Sequence, residues 1–307
     1  MSGNRVSSSV FALVVSFTAM LVIGCEGDSA SPPGPTTPIG PATTTEGRGY
    51  VEPLVPRATV FLPATPGAKF ADEKVPLPPV EDLVAQVANY IKKLDTDIED
   101  ISDTKNYTAD NESLLRDANA FILIVLAIGL SEEDSSLKKA APGLLEAAFA
   151  VIKATDFPGA RAGVEGIKKA LESSGDPSTL TWTKVAVLGP VMKAVPNISS
   201  SVATASNTPK KLKSAKGLAM TLQGTATLAA IMQGSIANYD ESDKNGTREQ
   251  WEKLCRDFRD MALKANAEVH LFADGKAEYS AASGALDAMK ASCDDCHKVF
   301  HQDAIGK

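Results

Sequence analysis

Apolar residues recur at intervals of three and four along most of the chain from about residue 79 onward, which predicts amphipathic helices. The clearest apolar seam comprises Trp251, Cys255, Phe258, Ala262, Ala265, Val269 and Phe272. Thr247 and Gln250 form a capping-box pattern before this seam, and Asp274-Gly275 follows it, so we expect a helix with a defined start and end.

Three further stretches complete the C-terminal part of the pattern. One seam comprises Tyr279, Ala282, Leu286, Met289, Cys293, Cys296 and Phe300, and an earlier one comprises Ala215, Leu218, Leu222, Thr225, Ala229, Met232 and Ile236. The stretch from Lys184 to Ala205 is less regular, because Pro190 and Pro196 interrupt it.

Residues 79–182 also predict four helices. The apolar seam of the first comprises Val80, Leu83, Val87, Tyr90, Ile91, Leu94 and Ile98, and that of the second comprises Leu115, Ala118, Ile122 and Val125. The seam of the third comprises Leu144, Leu145, Phe149 and Ile152, and that of the fourth comprises Val164, Ile167 and Leu171. We therefore expect an all-α protein with two four-helix bundles in tandem, one over 79–182 and one over 183–307.

The N-terminal region has a different character. Residues 1–25 resemble a bacterial lipoprotein signal, with Arg5 ahead of an apolar run and Cys25 as the lipidated residue. An ordinary cleaved signal or an uncleaved anchor is the alternative, with Cys25 incidental. Residues 26–78 are rich in Pro, Thr, Gly and Ser, which predicts a tether. We expect export to a bacterial periplasm or cell envelope, with a lipid anchor in the membrane.

Charge narrows the range of partners. The net charge is −7, which argues against nucleic acid as a partner.

Cys293-Asp294-Asp295-Cys296-His297 carries the most specific chemistry in the chain. The pattern Cys-x-x-Cys-His is the attachment site of c-type haem, in which both thiols bond to the porphyrin and the histidine ligates iron. A redox dithiol would not need the histidine, and a zinc site would need further ligands, for which only His301 is near. We expect one covalent haem c.

The C-terminal segment resembles the class II c-type cytochromes, cytochrome c′ and the c-556 cytochromes. The resemblance covers roughly 183–307 and is carried by the third helix of this part, whose apolar seam starts with Trp251, by the Asp274-Gly275 turn and by residues 291–300. It implies an aromatic residue after the motif, here Phe300, and then a basic residue, where this chain has His301. His301 remains a candidate for contact with a haem propionate.

The resemblance also bears on the second axial position of the iron. In c-556 cytochromes a methionine on the first helix ligates the iron, which suits electron transfer, whereas cytochrome c′ leaves this side open to small gases. Met192 lies 101 residues before Cys293 and is the best-placed candidate; Met220 and Met232 are alternatives. Val191, Val195 or Ile198 would instead crowd an open pocket.

An internal alignment suggests that the first segment is a haemless copy of the second. Alignment of Ala170 with Ala288 sets Gly175, Ser178 and Thr179 against Cys293, Cys296 and His297, and Trp182 against Phe300. Loose matching of any two helical segments is the alternative explanation. Because cytochromes c′ often pair through their first helices, the haemless segment is expected to replace a second subunit in an intramolecular pseudo-dimer.

The leading functional hypothesis is a membrane-tethered electron carrier that docks transiently with redox proteins, and not an enzyme. The alternatives are a five-coordinate haem protein that binds nitric oxide or carbon monoxide, and an interaction or scaffold lipoprotein with a structural haem. We expect Cys255 to be a small buried thiol and His270 to lie at the surface near a helix end.

Overall fold

The computed structural model describes residues 75–101, 105, 107–242 and 245–300. The predicted signal 1–25, lipidation of Cys25, the predicted linker as far as residue 74, and His301 lie outside the described residues. Of the predicted linker only 75–78 is described, and there Leu77 packs against the hydrophobic core.

The expectation of an all-α protein is confirmed over the described ranges, which contain no strand. The helices are α1 (Val80–Glu99), α2 (Tyr107–Asp110), α3 (Glu112–Leu130), α4 (Ala141–Lys153), α5 (Phe157–Ala170), α6 (Leu188–Ser206), α7 (Pro209–Lys213), α8 (Ala215–Ser235), α9 (Arg248–Ala273) and α10 (Tyr279–Val299). Short 3₁₀ turns occupy Pro177–Thr179 and Ile236–Glu241.

The local signals at helix ends act as predicted. Thr247 and Gln250 form a reciprocal capping box at the start of α9. Gly275 follows α9 with a φ of 71°, a left-handed conformation that glycine adopts without steric cost. The interruption predicted from the two prolines does not divide this stretch. Helix α6 continues through Pro196, and Pro190 lies in its first turn.

Helix α3 is the central element of the core. All its residues from Asp117 to Gly129 are buried, because α1, α4, α6 and α8 pack around it. In length and composition it resembles a membrane span, but 78% of its most apolar stretch is buried inside the protein. Burial of this kind is expected of the core helix of a globular protein.

The predicted boundary at 182/183 falls in a non-helical segment, 180–187, between the last 3₁₀ turn of the first segment and α6. Leu180, Val185 and Ala186 within it are buried. They belong to one hydrophobic core with residues from both predicted segments.

Two hydrogen bonds and one aromatic ring contact bring four helix ends of the C-terminal segment together. The Leu188 N–H at the start of α6 donates to Glu241, just after α8, at 2.7 Å. The Trp251 indole N–H at the start of α9 donates to the Ser235 carbonyl at the end of α8, at 2.9 Å. The ring of Phe300, at the end of α10, lies 5.2 Å from that of Trp251. We call this region the 300 end.

Candidate functional site

The last two turns of α10 carry the motif predicted to attach haem. Cys293, Cys296 and His297 share one face, since positions three and four apart on a helix are neighbours. All three are half-buried, and both cysteines are free thiols that pack against the core. Within the described residues the His297 imidazole has no hydrogen-bond partner. The donor set of two thiols and one imidazole on a single face therefore fits a covalently bound haem.

The acidity of the two thiols bears on the redox-dithiol alternative. Burial raises the pKa of Cys293 to about 11, and the neighbouring Asp294 carboxylate adds to the shift. Burial also raises the pKa of Cys296 to about 11. Dithiol redox centres need lowered thiol pKa values, which helix N-termini promote, whereas this pair lies at a helix C-terminus. The arrangement disfavours the redox-dithiol alternative.

Phe300 anchors the end of α10. It is fully buried, and its ring meets that of Trp251 edge-on at an interplanar angle of 83°. Its N–H donates to the Cys296 carbonyl at 2.8 Å, which caps the helix. A Cβ at Gly246 would come within 2.7 Å of the Phe300 ring, so this close approach requires glycine. The aromatic residue predicted to follow the motif thus fixes the position of the helix end.

Met192 lies at the same level along the bundle as Cys293. The Tyr279 hydroxyl, at the start of α10, donates to the Ser206 carbonyl, at the end of α6, at 2.8 Å, so the two helices run antiparallel. Met192 is 14 residues before Ser206 and Cys293 is 14 residues after Tyr279. At 1.5 Å per residue both lie about 21 Å from that contact.

The other candidates for the distal position are placed differently. Met220 lines a groove on the opposite part of α8, far from the 300 end, whereas Met232 is buried near that end. On α6, Val191 and Ile198 are buried, while Met192 and Val195 are half-buried and pack against the core.

Cys255 is completely buried on α9, as predicted. Burial raises its pKa well above the ordinary value, and the nearby Cys296 thiol contributes to the shift. The third described thiol therefore lies behind the motif and is protonated at neutral pH. Among the described residues, no group of three or more His, Cys, Asp or Glu side chains is arranged to hold a metal ion.

His270 has a partner that the sequence did not predict. It lies in the last turn of α9, and its Nε2 is 2.8 Å from Asp82 Oδ2 on α1. The Asn266 amide also donates to Asp82 Oδ2, at 2.9 Å. Asp82 is only 9% exposed, so this junction is a buried polar contact between the two predicted segments. The sequence signal for this contact was weak. Asp82 is an acidic residue in the first turn of an amphipathic helix, and such a residue usually indicates no more than a favourable interaction with the helix end.

The segment aligned with the motif has a different local structure. Helix α5 ends at Ala170, and Gly175, Ser178 and Thr179 lie beyond it, the last two in a 3₁₀ turn that begins at Pro177. Trp182 is half-buried and packs against the core.

Comparisons with protein-family models, curated proteins and solved structures find no match to this chain.

Proposed function

We propose that the chain is an exported, monohaem c-type cytochrome that carries electrons. Cys293 and Cys296 would hold one haem covalently, and His297 would ligate its iron. The observation that carries the proposal is the arrangement on α10, where two protonated thiols and an imidazole without a described partner share one half-buried face.

Attachment requires both cysteines as free thiols and not as a disulfide, and Cys293 and Cys296 are free thiols. Each S–H would add across one vinyl C=C of the porphyrin, with sulfur bonding to one carbon and the thiol hydrogen to the other, which needs no outside oxidant or reductant. When bound, the haem supplies a one-electron iron couple. His297 would hold the iron from α10, while the buried Phe300–Trp251 pair keeps the helix end in place.

Met192 is the proposed sixth ligand, on the basis of its level on α6 relative to Cys293 on α10. Six-coordinate His/Met iron suits outer-sphere electron transfer with transiently docked redox proteins. The second candidate function is gas binding at an open distal site. It is favoured by the partial exposure of Met192, while Val191 and Ile198 on the same helix are buried.

The order of the helices supports a tandem origin for the two segments. In each, a long helix, a short helix and three long helices follow in turn, α1–α5 and then α6–α10. The packing of α1 on α3, α3 on α4 and α4 on α5 recurs as α6 on α8, α8 on α9 and α9 on α10. Between the segments α1 contacts α8, α3 contacts α6 and α3 contacts α8. These are the crossed pairs that a two-fold axis generates, so we propose two bundles paired as an intramolecular pseudo-dimer.

Buried positions specify the register of this repeat. Along α1 and α6 the buried pairs are Val80 with Leu188, Leu83 with Val191, Tyr90 with Ile198, Leu94 with Val202 and Ile98 with Ser206. Along α5 and α10 they are Ala160 with Ala282, Gly163 with Ala285, Val164 with Leu286 and Ile167 with Met289. The second set lies one turn from the alignment predicted from sequence, and it sets Leu171, Ser174 and Gly175 against the motif. In either register the first segment has no haem ligand.

The membrane tether completes the proposal. Lipidation at Cys25 would anchor the chain, and residues 26–78 would hold the helices away from the envelope membrane, within reach of redox partners.

Absorption spectra of the exported protein test the proposal. In the wild type and in Cys255→Ser we expect covalent haem that resists acid–acetone extraction. Cys293→Ala should contain no haem that is attached through two thioether bonds. The wild type should be low-spin with the far-red band of methionine-ligated ferric haem. Met192→Ala should become high-spin and bind carbon monoxide, whereas Met220→Ala should match the wild type. A high-spin wild type that binds carbon monoxide would favour gas binding, and absence of covalent haem would refute both.

A further inference from the structure

Charge is distributed unevenly along the middle of the chain. Residues 177–239 contain six lysines and neither aspartate nor glutamate, although the whole chain has a net charge of −7. Four of these lysines lie within seven residues, on α7 and in the first turn of α8. We call them the lysine cluster, which comprises Lys210, Lys211, Lys213 and Lys216. All four are exposed, so together they form a positively charged patch on an acidic protein.

The positive charge of the lysine cluster is not neutralised inside the protein. The other two lysines of this stretch do have carboxylate partners. Lys184 pairs with Asp240 at 2.6 Å. Lys193 pairs with Glu112 at 2.9 Å. No member of the cluster has a carboxylate partner within the part of the chain that the structure describes, so the field of its ammonium groups extends into solvent.

The backbone that carries the lysine cluster is fixed by hydrogen bonds at two helix starts. The Lys211 N–H donates to the Thr208 hydroxyl at 3.2 Å, at the start of α7. The Gly217 N–H donates to the Ser214 hydroxyl at 3.0 Å, at the start of α8. Both are N-cap bonds, and Leu212, between the lysines, is completely buried. The patch is therefore a fixed feature of the folded surface.

The lysine cluster lies at the end of the helices where the predicted tether joins them. Helix α1 begins at Val80, and Asp82 in its first turn lies 2.8 Å from His270 in the last turn of α9. Lys213 Nζ lies 5.3 Å from the centre of the Phe272 ring, in the same turn of α9. The start of α1 and the lysine cluster therefore both lie at the C-terminal end of α9.

The carboxylates at this end lie on other elements. Asp274 pairs with Lys276 at 2.8 Å, and Glu133 accepts the first N–H of α1 at 2.9 Å. Glu81 and Glu278 are exposed, in the first turn of α1 and just before α10. Within this end, the lysine cluster is therefore the part that attracts an anionic surface.

We propose that the lysine cluster binds the anionic headgroups of the membrane that anchors the chain, with the 300 end on the side away from the membrane. The proposal rests on the tether of the proposed function and does not depend on haem. Roughly four or more basic residues beside a membrane anchor attract anionic lipids, and each of them strengthens binding by about five-fold at low salt.

A membrane fits the position of the lysine cluster better than an acidic protein partner does. Phe272 and Trp251 are 21 residues apart on α9, so the levels of the cluster and of the 300 end differ by about 32 Å. A redox protein docked at the cluster would therefore lie at the opposite end of α10 from the motif. The tether, in contrast, joins the helices beside the cluster and would hold it near the membrane.

Lysine footprinting on the full exported chain tests the proposal. The protein is mixed with vesicles of phosphatidylcholine, or of phosphatidylcholine with phosphatidylglycerol, and the acetylation rate of each lysine is measured by mass spectrometry. The cluster should react about five-fold more slowly on the anionic vesicles than on the neutral ones. Salt at about 1 M, where the Debye length is about 3 Å, should remove this protection. Lys290, which is exposed on α10 outside the cluster, should react equally on both.

Flotation with the same vesicles compares two variants of equal net charge. The cluster variant should lose the preference for anionic over neutral vesicles, and it combines Lys210→Gln, Lys211→Gln, Lys213→Gln and Lys216→Gln. The control variant should keep this preference, and it replaces four other exposed lysines through Lys92→Gln, Lys153→Gln, Lys169→Gln and Lys290→Gln. Binding to neutral vesicles reports the lipid anchor alone. Its absence would refute the tether, while the preference for anionic vesicles still decides the role of the cluster.

Three results would overturn the proposal. The first is equal acetylation of the lysine cluster on both kinds of vesicle. The second is an equal loss of the preference for anionic vesicles in the control variant, which would make net charge the cause. The third is protection of the cluster by polyglutamate but not by anionic vesicles, which would assign this surface to an acidic protein.

Discussion

Asn266 holds together the buried junction between α1 and α9, and its removal should destabilise both segments at once. Its amide donates to Asp82 Oδ2 at 2.9 Å, to the Leu222 carbonyl at 3.0 Å and to Thr225 Oγ1 at 3.1 Å. Asn266 is 1% exposed, so water cannot replace these contacts without entering the core. Asn266→Ala therefore leaves the Asp82 carboxylate with His270 as its remaining described donor.

The magnitude follows from the lost bonds. A hydrogen bond to a charged group contributes about 1.5–3 kcal/mol, and the small cavity left by the amide adds to the loss. We expect Asn266→Ala to lower the free energy of unfolding by about 2–4 kcal/mol. At about 2–4 °C per kcal/mol for a protein of this size, Tm should fall by roughly 4–16 °C.

Circular dichroism during thermal and urea unfolding measures this change, with Asn89→Ala as control. Asn89 also joins the segments, through its amide to Gln223 Oε1 at 3.0 Å, but this bond is exposed and should contribute less than about 0.5 kcal/mol. Because helices of both segments contribute to one hydrophobic core, a single transition should shift as a whole. Two separate transitions, or a loss below about 0.5 kcal/mol, would refute this reasoning.

Three further predictions concern helix ends and thiols. In haem-free folded protein, alkylation of Cys293 and Cys296 at pH 7.5 should be about 100-fold slower than at an ordinary thiol, since the pKa rises from 9.0 to about 11; a rate that levels off below pH 9 would contradict this. Gly275→Ala, at a φ of 71°, should cost about 1 kcal/mol in urea unfolding, and no loss would mean that the turn relaxes. Trp251→Phe removes the 2.9 Å bond to Ser235 and should cost about 1–3 kcal/mol by the same assay, unless water satisfies that carbonyl.

The features that could be predicted from the sequence depend only on residues within a turn or two of one another. The apolar seams place α9 and α10, and the Thr247–Gln250 capping box gives the start of α9, because these signals act within one or two turns. The same locality explains the motif, whose three side chains share a face through helical spacing alone.

Contacts between distant helices could not be predicted in this way. Asp82 and His270 are 188 residues apart, and no periodic pattern specifies which polar residue on one helix meets which on another. Pro196 was expected to interrupt the helix, but α6 continues through it. Packing of α6 in the core stabilises the helix by more than the loss of the one backbone hydrogen bond that proline cannot donate.

The proposed pseudo-dimer gives the two segments separate tasks. The contact between them is made by α1, α3, α6 and α8, whereas the motif lies on α10, which packs mainly on α9. A change on the outer face of α10 therefore leaves the junction at Asp82 undisturbed. A haem held by α10, as proposed, would be accessible to a docking protein, which electron exchange requires. Under the proposed duplication, loss of haem ligands from the first segment would not disturb the interface, since Leu171, Ser174 and Gly175 are exposed.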